Sequence, residues 1–66
     1  MELKEKFNRT LEALLKLQQD VNLLYIAYLP YDEVRDTLFK LYVAITILYD
    51  GVFNIREYAM SKESEE

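Results

Sequence analysis

Apolar residues recur along the chain with one helical period, interrupted once. From Glu2 to about Tyr28, the residues Leu3, Phe7, Leu14, Leu17, Val21, Leu24 and Tyr28 follow the alternating four-and-three spacing of a and d heptad positions. Thr10 is the polar exception. Leu11, Leu15 and Tyr25 widen this stripe on one side, while Glu5, Arg9, Glu12, Lys16 and Gln19 lie opposite it. Glu5–Arg9 and Glu12–Lys16 have (i, i+4) spacing in the favourable order, which is worth about 0.2–0.5 kcal/mol per pair. The pattern predicts a first helix over about 2–28.

The interruption is Tyr28-Leu29-Pro30-Tyr31-Asp32. Pro30 disfavours helical geometry at Leu29 and has no backbone N–H, so the first helix is expected to end there. Asp32 is expected to cap the next helix, with Glu33 complementing its dipole. A second helix is predicted over about 33–60, where Val34, Leu38, Leu41, Ile45, Leu48, Val52, Ile55 and Ala59 hold the same alternation. Gly51 costs ~1 kcal/mol inside a helix. The apolar phase runs through it, so the reading is one continuous helix, with a break at Gly51 as the alternative. Residues 61–66, SKESEE, are expected to fray as a polar tail. A turn over 29–32 between two helices of nearly equal length folds them back antiparallel, giving a single helical-hairpin domain over 1–66.

The stretch Leu38–Tyr49 makes a lone hairpin an incomplete answer. Its polar side chains are Lys40 and Thr46, so a helix built from it is apolar around most of its circumference. Phe39, Tyr42, Tyr49 and Phe53 form a second strip beside the heptad seam. A chain of 66 residues buries only about 60% of its unfolded surface. The usual remedies are disulfides, a metal or oligomerisation. With no Cys and no His, disulfides and thiolate or imidazole metal sites are excluded. The expected fold is therefore all-α: an antiparallel two-helix hairpin dimerising into a four-helix bundle, with the second helix more central. The dimer interface is expected to comprise Val34, Leu38, Phe39, Leu41, Tyr42, Ile45, Leu48, Tyr49, Val52, Phe53 and Ile55. The relative orientation of the two hairpins stays open.

Function is bounded first by exclusion. Without His or Cys the commonest general base and the thiolate nucleophile are missing. Ser61 and Ser64 sit in the tail with no base, and there is no Gly-rich loop to cradle phosphate. No catalytic, cofactor-binding or metal residue is expected, and no enzyme activity. Asp32, Glu33 and Asp36 could offer oxygens to a hard cation, but their spacing matches no EF-hand loop. They read as a dipole-favoured helix start. The net charge of −4 argues against general attraction to nucleic acid or anionic lipid. The longest charge-free runs, 21–31 and 41–49, fall short of the ~20 apolar residues a spanning helix needs. No apolar region of signal-peptide type follows residues 1–6. A cytoplasmic protein without a membrane partner is expected.

What remains is binding. The chain has six Tyr and three Phe but no Trp. Arg35, Tyr42, Tyr49 and Arg56 share one helical strip, and Tyr25, Tyr28 and Tyr31 cluster at the turn. Tyr and Arg are enriched in interface hot spots, which makes Tyr25, Tyr28, Tyr31, Arg35 and Arg56 candidate partner-binding residues. Alternatively, the strip edges the dimer seam with hydroxyls in water, and the cluster plugs the end of the core. Asn22, the polar residue within Val21–Leu29, either sets register or faces solvent. The leading reading is a homodimeric bundle acting through protein–protein interaction, as an adaptor or an inhibitor and regulator of the viral or plasmid accessory type. Lys4, Lys6, Arg9 and Lys16 give the first helix a basic component, interleaved with Glu2, Glu5 and Glu12. The predicted architecture resembles that of Rop-type proteins, small hairpins that dimerise into four-helix bundles and bind paired RNA loops. That resemblance, which lies in architecture and not in any residue, implies an RNA- or DNA-binding regulator as the second reading. A third is a subunit or oligomerisation module of a hetero-complex.

Overall fold

A computed structural model describes residues 2–65, with side chains described through residue 62. It contains two helices, α1 (Glu2–Ala27) and α2 (Asp32–Glu65), joined by residues 28–31. Tyr25 meets Phe39, Gln18 meets Thr46 and Asn8 meets Arg56, the falling-against-rising register of an antiparallel pair. The result is a slender all-α hairpin measuring 54 × 15 × 10 Å.

The seam between the helices is thin. Leu11, Val21 and Ile45 are its buried residues, each 6–7% exposed. Half-buried side chains extend it: Phe7, Leu14, Gln18 and Tyr25 on α1, and Leu38, Tyr49, Val52, Arg56 and Ala59 on α2. The four-and-three spacing is kept, but the contact is rotated from the expected heptad columns. On α2 the column Leu38, Ile45, Val52 and Ala59 faces α1 together with Arg35, Tyr49 and Arg56. The expected partners of that column, Val34, Leu41, Leu48 and Ile55, stay exposed. On α1, Leu11, Gln18 and Tyr25 join Phe7, Leu14 and Val21, while Leu3, Leu17, Leu24 and Tyr28 stay outside. Cross-helix polar bonds accompany this choice. Arg56 donates to Asn8 Oδ1 at 2.9 Å, and the Gln18 amide donates to Thr46 Oγ1.

The connection is built from backbone bonds at ordinary dihedrals, with no positive φ among the described residues. The Tyr28 N–H donates to Leu24 O at 3.0 Å and closes α1, and the Tyr31 N–H donates to Tyr28 O at 3.0 Å around Pro30. The opening of α2 differs from expectation. The Arg35 N–H donates to Tyr31 O at 2.8 Å, so Tyr31 supplies the first accepting carbonyl and Asp32 lies inside the first turn. There Asp32 and Glu33 face the positive end of the helix dipole.

Gly51 does not break α2. A Cβ at this position would meet nothing within 4 Å, so the hairpin itself makes no use of the missing side chain. The helix also continues to Glu65, where a frayed tail was expected from residue 61. Those residues contain no Gly or Pro, and each one added to an existing helix gains a backbone hydrogen bond. Leu3 and Phe7 line a shallow crevice with Ala59 and Met60. The last turn of α2 therefore runs past the start of α1.

Ile45 sits at the centre of the seam, so Ile45→Ala should lower unfolding free energy by about 2–4 kcal/mol. Urea titration followed by circular dichroism at fixed protein concentration would measure this. A loss under about 1 kcal/mol would mean that the seam is not centred there.

Candidate interaction surfaces

An α-helix turns ~100° per residue, so the seam contacts locate every other position around each helix. Asn8–Arg56, Gln18–Thr46 and Tyr25–Phe39 all cross on one side of the seam. By the same rotation, Leu15, Asn22 and Ile26 of α1 and Tyr42 and Phe53 of α2 belong to that side. It forms an aromatic face studded with amide and hydroxyl groups. The Tyr25 and Phe39 rings lie 6.3 Å apart, tilted by 48°. With Asn22 and Tyr42 they line an open notch of about 130 Å³. That is below the ~300–1,000 Å³ of small-molecule pockets and is closer to the bulk of one side chain.

The opposite side is aliphatic. Leu3, Thr10, Leu17 and Leu24 of α1 and Val34, Leu41, Leu48 and Ile55 of α2 fall there, each of them exposed. Leu48 and Ile55 are 56% and 58% exposed. Thr37, Ala44 and Gly51 continue the face around α2, and the charged residues Lys6, Asp20, Glu33 and Lys40 lie at its margins. The Thr10 hydroxyl donates to Lys6 O at 2.8 Å and that of Thr37 to Glu33 O at 3.0 Å. Both threonines are thereby satisfied within their own helix.

The residues expected at a dimer interface are thus distributed over three places. Leu38, Ile45, Tyr49 and Val52 turn toward α1, and Val34, Leu41, Leu48 and Ile55 lie on the aliphatic face. Phe39, Tyr42 and Phe53 lie on the aromatic face. The two arginines singled out for partner binding are occupied within the hairpin. Arg35 donates to Leu29 O at 3.3 Å and meets Asp32 and Asp36 at 3.4 and 3.5 Å. It ties the turn to the acidic start of α2. Arg56 stacks 5.0 Å above the Phe53 ring, contacts Glu57 at 3.1 Å and keeps its Nε buried without a partner. Tyr25 is half-buried at the notch. Tyr28 and Tyr31 pack edge-to-face at 5.8 Å on the exposed tip.

Asn8 and Gln18 are the seam residues that sequence reasoning missed. Both lie one helical step from the apolar stripe of α1, and their role becomes visible only beside Arg56 and Thr46. Glu5, Arg9, Glu12 and Lys16 occupy the outer face of α1, where neither expected ion pair is among those the described residues form. The basic residues there are interspersed with acids. Finally, the segment Asp32–Lys62 is long and apolar enough to cross a membrane by length and composition, with 11% of its most apolar window buried. Counting charge-free runs overlooked this, because Lys40 and Asp50 divide the stretch while its mean hydropathy remains 1.4.

No protein-family model, curated protein or solved structure matches the chain. The functional argument therefore rests on the surfaces.

Tyr31 is 60% exposed and its ring pairs with that of Tyr28, and an aromatic pair of this kind contributes about 0.5–1.5 kcal/mol. Tyr31→Ala should leave the helical circular-dichroism spectrum unchanged and shift the urea midpoint by no more than that energy. A larger loss would place Tyr31 in the structural core and not at an available tip.

Proposed function

We propose that this chain is a small, non-enzymatic, homodimeric four-helix-bundle protein that acts in the cytoplasm by binding another protein, as an adaptor or inhibitor. The carrying observation is its surface. The hairpin exposes 5422 Å², whereas a compact monomer of 7.9 kDa shows about 4,400 Å². The excess is on the order of 1,000 Å², and a standard protein–protein interface removes about 800 Å² from each partner. Self-association is the remedy left to a chain without Cys or His.

The protein partner is supported by the unlike character of the two faces. One face is nearly all aliphatic; the other offers aromatic rings with amides and hydroxyls among them, as interface cores do. A second copy covering either face leaves the other available, together with the Tyr28–Tyr31 tip. No cofactor enters this reading, and no residue is assigned a catalytic part in it.

The apolarity of α2 favours one competing reading, insertion into a bilayer. Asp50, near the middle of Asp32–Lys62, weighs against it, since an acidic residue near the centre of a spanning helix costs about 2.5–3.5 kcal/mol. Sedimentation equilibrium of the purified chain separates the two, with circular dichroism before and after addition of neutral phospholipid vesicles. The proposal expects a highly helical species of twice the chain mass that stays out of the vesicle fraction. A monomer that partitions into vesicles would replace it with the membrane reading.

A further inference from the structure

We infer that the aliphatic face is where a second copy of this chain docks, and that the aromatic face stays open in the dimer. This inference rests on the homodimer proposed above and assigns the surface that forms it. Burial is the deciding physics. A polar group taken out of water without a partner costs about 1–3 kcal/mol, so a good self-interface contains few of them. Between its charged margins the aliphatic face has Leu17, Leu24, Val34, Leu41, Leu48 and Ile55, with threonine hydroxyls already bonded to carbonyls of their own helices. Nothing on it needs a partner group from outside.

The aromatic face does. Asn22 and Tyr42 line the notch on this face, and both carry polar groups that a buried interface would have to satisfy. A twofold axis would bring each of these groups in twice.

Symmetry and area agree with the assignment. A twofold interface must be complementary to itself, which a strip of interchangeable aliphatic side chains satisfies over its whole length. About half of each of these side chains is exposed. At ~25 cal/mol per Å² and about 1.5–3 kcal/mol per fully buried aliphatic side chain, the exposed halves of these six side chains offer on the order of 200–350 Å² per copy. They supply the apolar centre of a standard interface of ~800 Å² per partner, and the residues around them, Leu3, Thr10, Thr37, Ala44 and the charged margins, would supply the rest. Gly51 lies beside Leu48 and Ile55 on this side, and nothing in its own chain approaches its missing Cβ. A second helix packing there would use that space.

Sedimentation equilibrium on the full chain tests the assignment, comparing wild type with Leu48→Glu and Phe39→Glu. These positions are 56% and 54% exposed; Leu48 makes no seam contact, whereas Phe39 gives up its ring contact with Tyr25, so circular dichroism and a urea titration verify that each variant stays a folded hairpin. Leu48→Glu should raise the dimer dissociation constant by about 100-fold or more, the effect of burying an unpaired charge. Phe39→Glu should change it by less than about 3-fold. Should Leu48→Glu abolish helicity, the uncharged Leu48→Asn takes its place with at least a 10-fold weakening expected. A dimer that survives Leu48 substitution but dissociates with Phe39→Glu overturns the face assignment and leaves the homodimer standing. A wild-type chain that sediments as a monomer overturns the homodimer itself.

Discussion

A helix packed against one neighbour covers a single stripe of its side chains, and α2 carries more than one stripe's worth of apolar residues. The rest of the structure depends on that mismatch. The column Leu38, Ile45, Val52 and Ala59 has apolar or aromatic neighbours on both sides, so only one flank can turn toward α1. The hairpin takes the flank of Tyr49 and Arg56 and leaves Leu41, Leu48 and Ile55 in water. Among the described residues three are buried as a consequence, Leu11, Val21 and Ile45. So few make a core too small to define an independent globule.

Polar bonds accompany the flank that turns inward. Asn8 and Gln18 of α1 accept from Arg56 and donate to Thr46, bonds that an all-leucine seam could not offer. Threonine plays a different part, since Thr10, Thr37 and Thr46 each donate to the carbonyl four residues earlier. A hydroxyl satisfied in this way behaves toward its surroundings much as a methyl-bearing apolar side chain does. The two faces of the hairpin differ for this reason. Leftover polar groups concentrate on one face, and the other is nearly free of them.

The parts of this architecture that were legible in the sequence are those set locally. The helical period, the stop at Pro30 and the continuity through Gly51 depend on neighbours along the chain, and the structure has both helices and the turn in those places. The extension of α2 to Glu65 escaped notice because SKESE carries no stop signal, so polarity alone suggested an end. The orientation of the seam was not legible either. Columns 34/41/48/55 and 35/42/49/56 lie at similar angles on either side of the central one, and choosing between them required knowing which α1 residues lie opposite. Arg35 and Arg56 looked available because Arg is enriched in interface hot spots, and their contacts within the hairpin could not be read from the chain. Their guanidinium groups are held by Leu29 O, Asp32 and Asp36 in one case, and by Asn8 and Glu57 in the other.

The connection of residues 28–31 has a consequence for the order of events. A tether this short holds the two helices at an effective concentration in the millimolar range. Closing a loop of about ten residues takes on the order of 10–100 ns, and encounter with another chain at cellular dilution is far slower. Each newly made chain therefore pairs its own helices first. The exposed leucines then meet other molecules as a surface already in register.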